Sequence, residues 1–339
     1  MSTNTIKTTK KDFTVEDPVK WCAGCGGYPI LSAIQNILPN TGVAKEKFVF
    51  VSGIGCSSRF PYYINTYGFH SLHGRASAIA SGIKTANPEL SVWQITGDGD
   101  SMAIGGNHFI HLVRRNININ LTLFNNKIYG LTKGQYSPTT PKGSKTKTSP
   151  EGTIENPFNP GELTMGAQGT FFARVIDNDL SMMKEVFNEA AEHKGTSVVE
   201  VLQNCVIFNN KVHENIAGKD VKDDHTIYLE HGKPMIFGKE RDKGLMLKGN
   251  KIEVVRLGEN GITEKDLMVH DVENPDDTTH YMLTRMTFPE YPVAMGVIRK
   301  YQSTVYEGAL HLQIEEAKNT SKIKNVDDLL NSGNVFEIE

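Results

Sequence analysis

Short apolar runs and helically spaced apolar residues alternate along the first two thirds of the chain. Apolar runs that predict buried strands occupy residues 48–52, 92–96, 119–125, 172–176 and 198–202. Apolar residues at helical spacing predict helices at residues 27–38, 76–84, 103–115 and 182–194. Strands that alternate with helices are typical of a parallel sheet with helices on both faces. The pattern therefore predicts an α/β fold of that kind.

Two parts of the sequence depart from this alternation. Residues 132–165 are rich in Gly, Pro, Ser, Thr and Lys and show little periodicity. A loop of that length inside a compact domain is usually functional or mobile. From residue 209 onward the alternation fades. We therefore divide the chain into an N-terminal tail (1–18), a main domain (19–208) and a C-terminal extension (209–339).

Composition excludes several classes of protein. With 339 residues, 38% of them hydrophobic, the chain can bury a core and is not disordered. A formal net charge of -3 argues against a general nucleic-acid binder. No stretch approaches the ~20 apolar residues of a membrane span, and residues 1–12 lack the apolar segment of a secretory signal. We expect a cytoplasmic protein that binds neither nucleic acid nor membrane.

Glycine and polar residues follow two consecutive predicted strands. Gly97-Asp98-Gly99 comes after one strand, and Asn125-Asn126 ends the next. Ligands of parallel sheets collect at the carboxyl ends of the strands. A carboxylate, an amide oxygen and a nearby backbone carbonyl suit a Mg²⁺ ion that also binds phosphate and water. The glycines would let backbone amides approach a diphosphate.

This pattern resembles the thiamine diphosphate motif, in which Gly-Asp-Gly is followed at a similar distance by two asparagines. The resemblance implies that Asp98, Asn126 and the carbonyl of Ile128 ligate Mg²⁺, and that Gly99 and Asp100 continue the phosphate turn. Each half of the pattern alone is a common turn sequence. Their position on consecutive strand ends favours the cofactor site.

The four cysteines form a second pattern. Cys22 and Cys25 make a CxxC pair, whereas Cys56 and Cys205 each follow a predicted strand. Four thiolates suit a [4Fe–4S] cluster or a structural zinc ion. Alternatively, Cys56 and Cys205 are buried small residues and the CxxC pair is incidental. The spacing of the cysteines does not choose between iron and zinc.

Longer segments resemble the β subunit of 2-oxoacid:ferredoxin oxidoreductases. These segments are WCAGCG, GIGCSSR, LHGRASAIASGIK, residues 97–136, IFNNKVHENI and HGKPMIFGKERDKGL. The resemblance covers roughly residues 15–250. It implies a chain that binds thiamine diphosphate and Mg²⁺ and ligates one [4Fe–4S] cluster through Cys22, Cys25, Cys56 and Cys205. It also implies that Leu131 lines the substrate pocket and that Lys133 faces substrate or coenzyme A.

Further residues are candidates for contact with the cofactor. Those that follow a strand or lie beside the Mg²⁺ ligands are Ile54, Gly55, Cys56, Ser57, Gly130 and Leu131, and His73, in Leu72-His73-Gly74-Arg75, is a separate candidate. His73 would lie beside the diphosphate or the thiazolium ring. The alternative for His73 is a hydrogen-bonded histidine with no part in cofactor binding.

The resemblance implies coenzyme A-dependent oxidative decarboxylation of a 2-oxoacid, with 2-oxoglutarate favoured. The products would be acyl-CoA and CO₂, and electrons would pass through the cluster to ferredoxin. In this family a second domain supplies the glutamate that contacts the aminopyrimidine ring. We therefore expect a separate α subunit with the pyrimidine-binding domain, no activity without it, and an α₂β₂ heterotetramer.

Three alternatives to this function remain open at the level of sequence. The substrate could be pyruvate or a broad range of 2-oxoacids. The chain could be a non-redox thiamine enzyme with a structural zinc site, or a non-catalytic metal-binding scaffold.

Overall fold

The computed structural model describes residues 8–336 and 338. The strands in this part of the chain are β1 (Phe48–Ser52), β2 (Tyr67–His70), β3 (Ser91–Gly97), β4 (Ile119–Asn125), β5 (Phe171–Ile176), β6 (Ser197–Leu202), β7 (Thr226–Tyr228), β8 (Ile236–Phe237), β9 (Lys243–Lys248), β10 (Lys251–Arg256) and β11 (Val293–Lys300). The α-helices are α1 (Gly27–Ile37), α2 (Ala76–Ala86), α3 (Asp98–Met102), α4 (Gly106–Arg115), α5 (Pro160–Gly166), α6 (Leu180–Glu192), α7 (Glu214–Ala217), α8 (Lys222–His225), α9 (Thr278–Arg285), α10 (Tyr306–Thr320) and α11 (Val326–Leu330).

The main sheet has eight strands in the order β2-β1-β3-β4-β6-β5-β11-β7. Strands β1 to β6 are parallel to one another. Strand β11 is antiparallel to β5, and β7 is parallel to β11. The predicted parallel sheet is therefore confirmed, with a pair of strands of opposite direction added at one end.

Helices cover both faces of this sheet. Along β1, Phe48 and Phe50 face one hydrophobic core, and Val49 and Val51 face the other, because successive side chains of a strand point to opposite faces. Helices α1 and α6 contribute to the first core, and α2 and α4 contribute to the second. Burial on both faces explains why these strands are continuous apolar runs.

Three predicted elements differ from the structure. The predicted helix at 103–115 begins three residues later, as α4, because Ala103 departs from helical dihedral angles, and α3 before it was not predicted. The long loop predicted at 132–165 ends earlier, where Asn159 caps α5. Strand β2 was not predicted, because its residues are exposed and contain no apolar run.

Residues after 209 contribute to the main sheet and form a second one. Strands β7 and β11 join the main sheet, and β10, β9 and β8 form a separate antiparallel sheet. The domain boundary at residue 208 stays a prediction, and residues 1–7 of the predicted tail lie outside the described residues. No helix of the described residues is long and apolar enough to cross a membrane. The cytoplasmic location also stays a prediction.

Substitution of two isoleucines after residue 209 tests whether strand β11 is part of the hydrophobic core. Ile298 of β11 is fully buried, whereas Ile323, between α10 and α11, is 39% exposed. We expect Ile298→Ala to lower the free energy of unfolding by about 2–5 kcal/mol, because it leaves a cavity. The matched control Ile323→Ala should change it by less than about 0.5 kcal/mol. Urea unfolding measures both values, and equal effects would contradict the placement of β11 in the core.

Candidate active site

A cavity of about 460 Å³ opens at the carboxyl ends of β1, β3 and β4. Most of the predicted cofactor residues line it: Ile54, Gly55, Cys56, Ser57, His73, Asp98, Gly99, Asp100, Asn126, Ile128, Gly130 and Leu131. Gly97 of the predicted phosphate turn also lines it, and residues that we did not predict complete the wall: Gly74, Ile104, Phe124, Tyr129, Thr132 and Gln135. The structure therefore brings the predicted set into one place, while the role of each residue stays a prediction.

Several predicted residues lie outside the lining of this cavity. Lys133 is exposed, and its backbone N–H donates to the carbonyl of Gly130 at 3.1 Å. Cys22, Cys25 and Cys205 also lie outside the lining. Lys133 is thus held at the rim, two residues beyond Leu131.

Asp98 is the buried carboxylate of the cavity. It is 2% exposed, and its Oδ2 accepts hydrogen bonds from Ser137 Oγ and Thr139 Oγ1, each at 2.5 Å. Burial raises the pKa of Asp98 to about 6, although these two hydroxyl groups act to lower it. On the neighbouring loop, Asn126 Oδ1 accepts from the backbone N–H of Ile128 at 3.1 Å. The wall therefore presents carboxylate and amide oxygens, which are the donors that Mg²⁺ prefers.

Asp100 holds the walls of the cavity together. Its Oδ1 accepts from the backbone N–H of Ile54 at 3.1 Å and of Gly74 at 2.7 Å. Its Oδ2 accepts from Thr96 Oγ1 at 2.9 Å. A Cβ atom at Gly53 would lie 1.9 Å from Asp100 Oδ2, so only glycine allows this approach. The carboxylate of Asp100 is thus committed to three neighbouring segments.

Tyr129 is a lining residue that our sequence reasoning missed. Its hydroxyl donates to the carbonyl of Gly99 at 3.1 Å, and its ring lies directly over that glycine. Burial raises the pKa of Tyr129 to about 12, and the carboxylates of Asp98 and Asp100 act in the same direction. The phenol therefore stays protonated at neutral pH. Its position directly after Ile128 was the signal that could have identified it.

The loops that carry the four cysteines are joined by hydrogen bonds. The backbone N–H of Gly26, next to Cys25, donates to the carbonyl of Asn204, next to Cys205, at 3.4 Å. Trp21 Nε1 donates to the carbonyl of Cys56 at 2.7 Å. The CxxC turn is therefore fastened to both of the other cysteine loops.

The four thiols lie near one another. A methyl group placed on Gly130 would lie 3.5 Å from Cys205 Sγ and 3.6 Å from Cys56 Sγ. Burial, together with repulsion from the thiolates of Cys25, Cys205 and Cys22, raises the pKa of Cys56 to about 11. Burial also raises the pKa of Cys25. Bound metal would oppose this effect, because its positive charge favours the thiolate.

Among the described residues, no group of three or more His, Cys, Asp or Glu side chains has the arrangement of a metal-ion site. The assignment of Cys22, Cys25, Cys56 and Cys205 as cluster ligands therefore stays a prediction. The same holds for Asp98, Asn126 and Ile128 as Mg²⁺ ligands.

Comparison with known proteins identifies the family. The profile of the family "Thiamine pyrophosphate enzyme, C-terminal TPP binding domain" matches residues 53–201. The 2-oxoglutarate oxidoreductase subunit KorB of Mycobacterium tuberculosis is 45% identical over 312 residues, which are 92% of this chain and 83% of that relative. The chain belongs to the β subunits of 2-oxoacid:ferredoxin oxidoreductases. It is thus a subunit of an oxidoreductase, as predicted.

Two further comparisons agree with this family. The 2-oxoglutarate synthase subunit KorB of Archaeoglobus fulgidus is 47% identical over 189 residues, 56% of this chain and 70% of that relative. The solved 2-oxoglutarate:ferredoxin oxidoreductase from Magnetococcus marinus, with 2-oxoglutarate, coenzyme A and succinyl-CoA bound, has a TM-score of 0.77 at 29% identity. That match covers 98% of each chain. The predicted thiamine diphosphate-binding fold is therefore confirmed.

The contact between Gly99 and Tyr129 can be tested against a matched glycine. A Cβ atom at Gly99 would lie 2.1 Å from Tyr129 Cε1, whereas one at Gly82 of α2 would meet nothing within 4 Å. We expect Gly99→Ala to destabilise the protein by about 1–3 kcal/mol, since the ring must move. Gly82→Ala should stabilise it by about 0.5–1 kcal/mol, because alanine favours a helix interior. Chemical unfolding measures both, and stabilisation by Gly99→Ala would refute the contact.

Proposed function

We propose that this β subunit carries the thiamine diphosphate site and one [4Fe–4S] cluster of an enzyme that oxidatively decarboxylates a 2-oxoacid. Coenzyme A would accept the acyl group, CO₂ would be released, and ferredoxin would accept the electrons. The observation that carries the proposal is the position of Cys56, which lines the cofactor cavity and also lies among the other three cysteines. A cofactor site and an electron acceptor that share a residue favour redox chemistry over plain decarboxylation.

2-Oxoglutarate is the favoured substrate. Two similar proteins, from Mycobacterium tuberculosis and Archaeoglobus fulgidus, are named for 2-oxoglutarate. The similar structure from Magnetococcus marinus has 2-oxoglutarate and coenzyme A bound. These names support the substrate, and they support coenzyme A as the acyl acceptor.

The donors at the cavity wall fit a Mg²⁺ diphosphate. Asp98, Asn126 and the carbonyl of Ile128 would hold the ion, whereas the absent side chain of Gly99 makes room for the ring of Tyr129. Asp98 is buried and its pKa is raised, so a neighbouring cation would favour its charged form. When bound, thiamine diphosphate supplies the electron sink for decarboxylation of a 2-oxoacid.

The cysteines fit a cluster with one side toward solvent. Cys22 is exposed, whereas Cys25, Cys56 and Cys205 are partly buried. Cys56 lies on the side of the cofactor cavity, and Cys22 lies on the side of solvent. We propose that electrons leave past Cys22, where ferredoxin would bind.

The mouth of the cavity fits a protein partner. Ile104 and Leu131 line the cavity but are 59% and 49% exposed, and Leu72 nearby is 71% exposed. Exposed apolar side chains around a site are typical of a protein interface. We propose that the α subunit covers this mouth and supplies the missing glutamate, within an α₂β₂ assembly. Lys133, at the rim, would then face coenzyme A.

Anaerobic co-expression with the α subunit tests the function. A panel of 2-oxoacids would be assayed with coenzyme A and methyl viologen as electron acceptor. We expect reduction of methyl viologen that requires 2-oxoglutarate, coenzyme A and both subunits. Faster reduction with pyruvate would establish the alternative substrate. Turnover without reduction, in protein that contains zinc and no iron, would establish the non-redox alternative and refute the proposal.

Cys205→Ser tests the cluster ligands. We expect the variant to lose iron, labile sulfide and the visible absorbance that dithionite bleaches, because an alcohol is a poor ligand for iron at neutral pH. Ile207→Ser, an exposed position on the same loop, is the control and should keep the iron content of the wild type. A full complement of four irons in Cys205→Ser would exclude Cys205 as a ligand.

A further inference from the structure

The loop after Gln135 returns to the cavity and contributes two buried hydroxyl groups. Ser137 is 2% exposed and Thr139 is 3% exposed. Both donate to the same oxygen of Asp98, Oδ2, at 2.5 Å. Among the described residues, no side chain forms a hydrogen bond with the other oxygen, Oδ1. The side-chain hydrogen bonds therefore fall on one oxygen of the carboxylate, and backbone N–H groups of Gly99 and Asp98 also stabilise its charge.

The position of Thr139 is set by a chain of buried polar contacts. Arg174 Nε donates to Glu200 Oε2 at 2.7 Å, and Asn125 Nδ2 donates to Glu200 Oε1 at 2.6 Å. The amide nitrogen of Asn125 thus points to Glu200, and its Oδ1 faces Thr139 Oγ1 at 3.0 Å. Thr139 has a single hydroxyl hydrogen, which lies between these two acceptors and bonds mainly to the closer and charged one, Asp98 Oδ2, and more weakly to Asn125 Oδ1.

The hydrogen bonds from Ser137 and Thr139 to Asp98 are of the kind that orients a metal-binding carboxylate. Ligands of a metal ion are oriented by the groups that hydrogen-bond to them, and loss of such a group weakens metal binding. When a carboxylate binds Mg²⁺ through one oxygen, hydrogen bonds from the protein to its other oxygen keep it in the right orientation. Resting on the proposed cofactor site, we propose that Ser137 and Thr139 are positioning residues that hold Asp98 Oδ1 toward Mg²⁺.

Thr153 provides a matched control in the same loop. It is 6% exposed, and its hydroxyl donates to the carbonyl of Pro141 at 2.9 Å. Thr153→Val removes a buried hydroxyl of the loop without touching Asp98. Thr139→Val removes one that bonds Asp98, and Thr139→Ser retains it.

The experiment measures metal binding by the complex of α and β subunits after removal of its metal and cofactor. Mn²⁺ is the probe, titrated in the presence of thiamine diphosphate and followed by electron paramagnetic resonance. We expect Thr139→Val and Ser137→Ala each to weaken Mn²⁺ binding, by about 10-fold to 100-fold for Thr139→Val. Thr139→Ser should restore the affinity, and Thr153→Val should match the wild type.

The outcomes separate this inference from the function on which it rests. Wild-type affinity in both Thr139→Val and Ser137→Ala would overturn the positioning role. A loss in Thr153→Val as large as that in Thr139→Val would overturn it as well, because any change in the loop would then suffice. If Asp98→Ala bound Mn²⁺ as tightly as the wild type, the proposed Mg²⁺ site itself would be wrong, and the inference with it.

Discussion

Parallel pairing of β1, β3, β4 and β6 is the constraint on which the site depends. Each of these strands runs in the same direction, so the loops after all four lie at one edge of the sheet. Cys56, Asp98, Asn126 and Cys205 come from four such loops, far apart in sequence. A sheet with one of these strands reversed would carry the corresponding residue to the opposite edge. The meeting of cofactor donors and thiols is therefore a consequence of strand direction.

Asp98 and Asp100 lie at this edge of the sheet, separated by a single residue, but their carboxylates have different roles. Asp100 accepts three hydrogen bonds from segments around the cavity. Its role is therefore to hold the walls of the cavity together. Asp98 is bonded by side chains on one oxygen alone. The difference comes from α3, whose helical turn points the two side chains in different directions. A short acidic sequence thus supplies both a structural tie and a candidate metal ligand.

The strands predicted from sequence are buried on both faces and lie where strands and helices alternate, whereas β11, also buried, lies after residue 209, where that alternation fades, and was missed. The predicted bounds of β1 and β4 agree with the structure because β1 is buried throughout and β4 is buried at every residue except Asn120. Strand β2 is exposed along its length and β8 has two residues, so neither produces an apolar run. Cofactor-site candidates were found because they directly follow strands. Ser137 and Thr139 lie 39 and 41 positions from Asp98, in a loop without periodicity, so nothing in the sequence connects them.

Strand β11 is synthesised long after β5, the strand with which it pairs, and this delay has a consequence during translation. The six parallel strands and all four cysteines are complete by residue 205, but β11, which covers the edge of β5, begins at Val293. A ribosome adds about 5–20 residues per second, so the edge of β5 stays without its partner for several seconds after Cys205 is made. During that interval an unpaired edge strand can pair with another chain. The nascent β subunit therefore holds every thiol of the candidate cluster site before its sheet is closed.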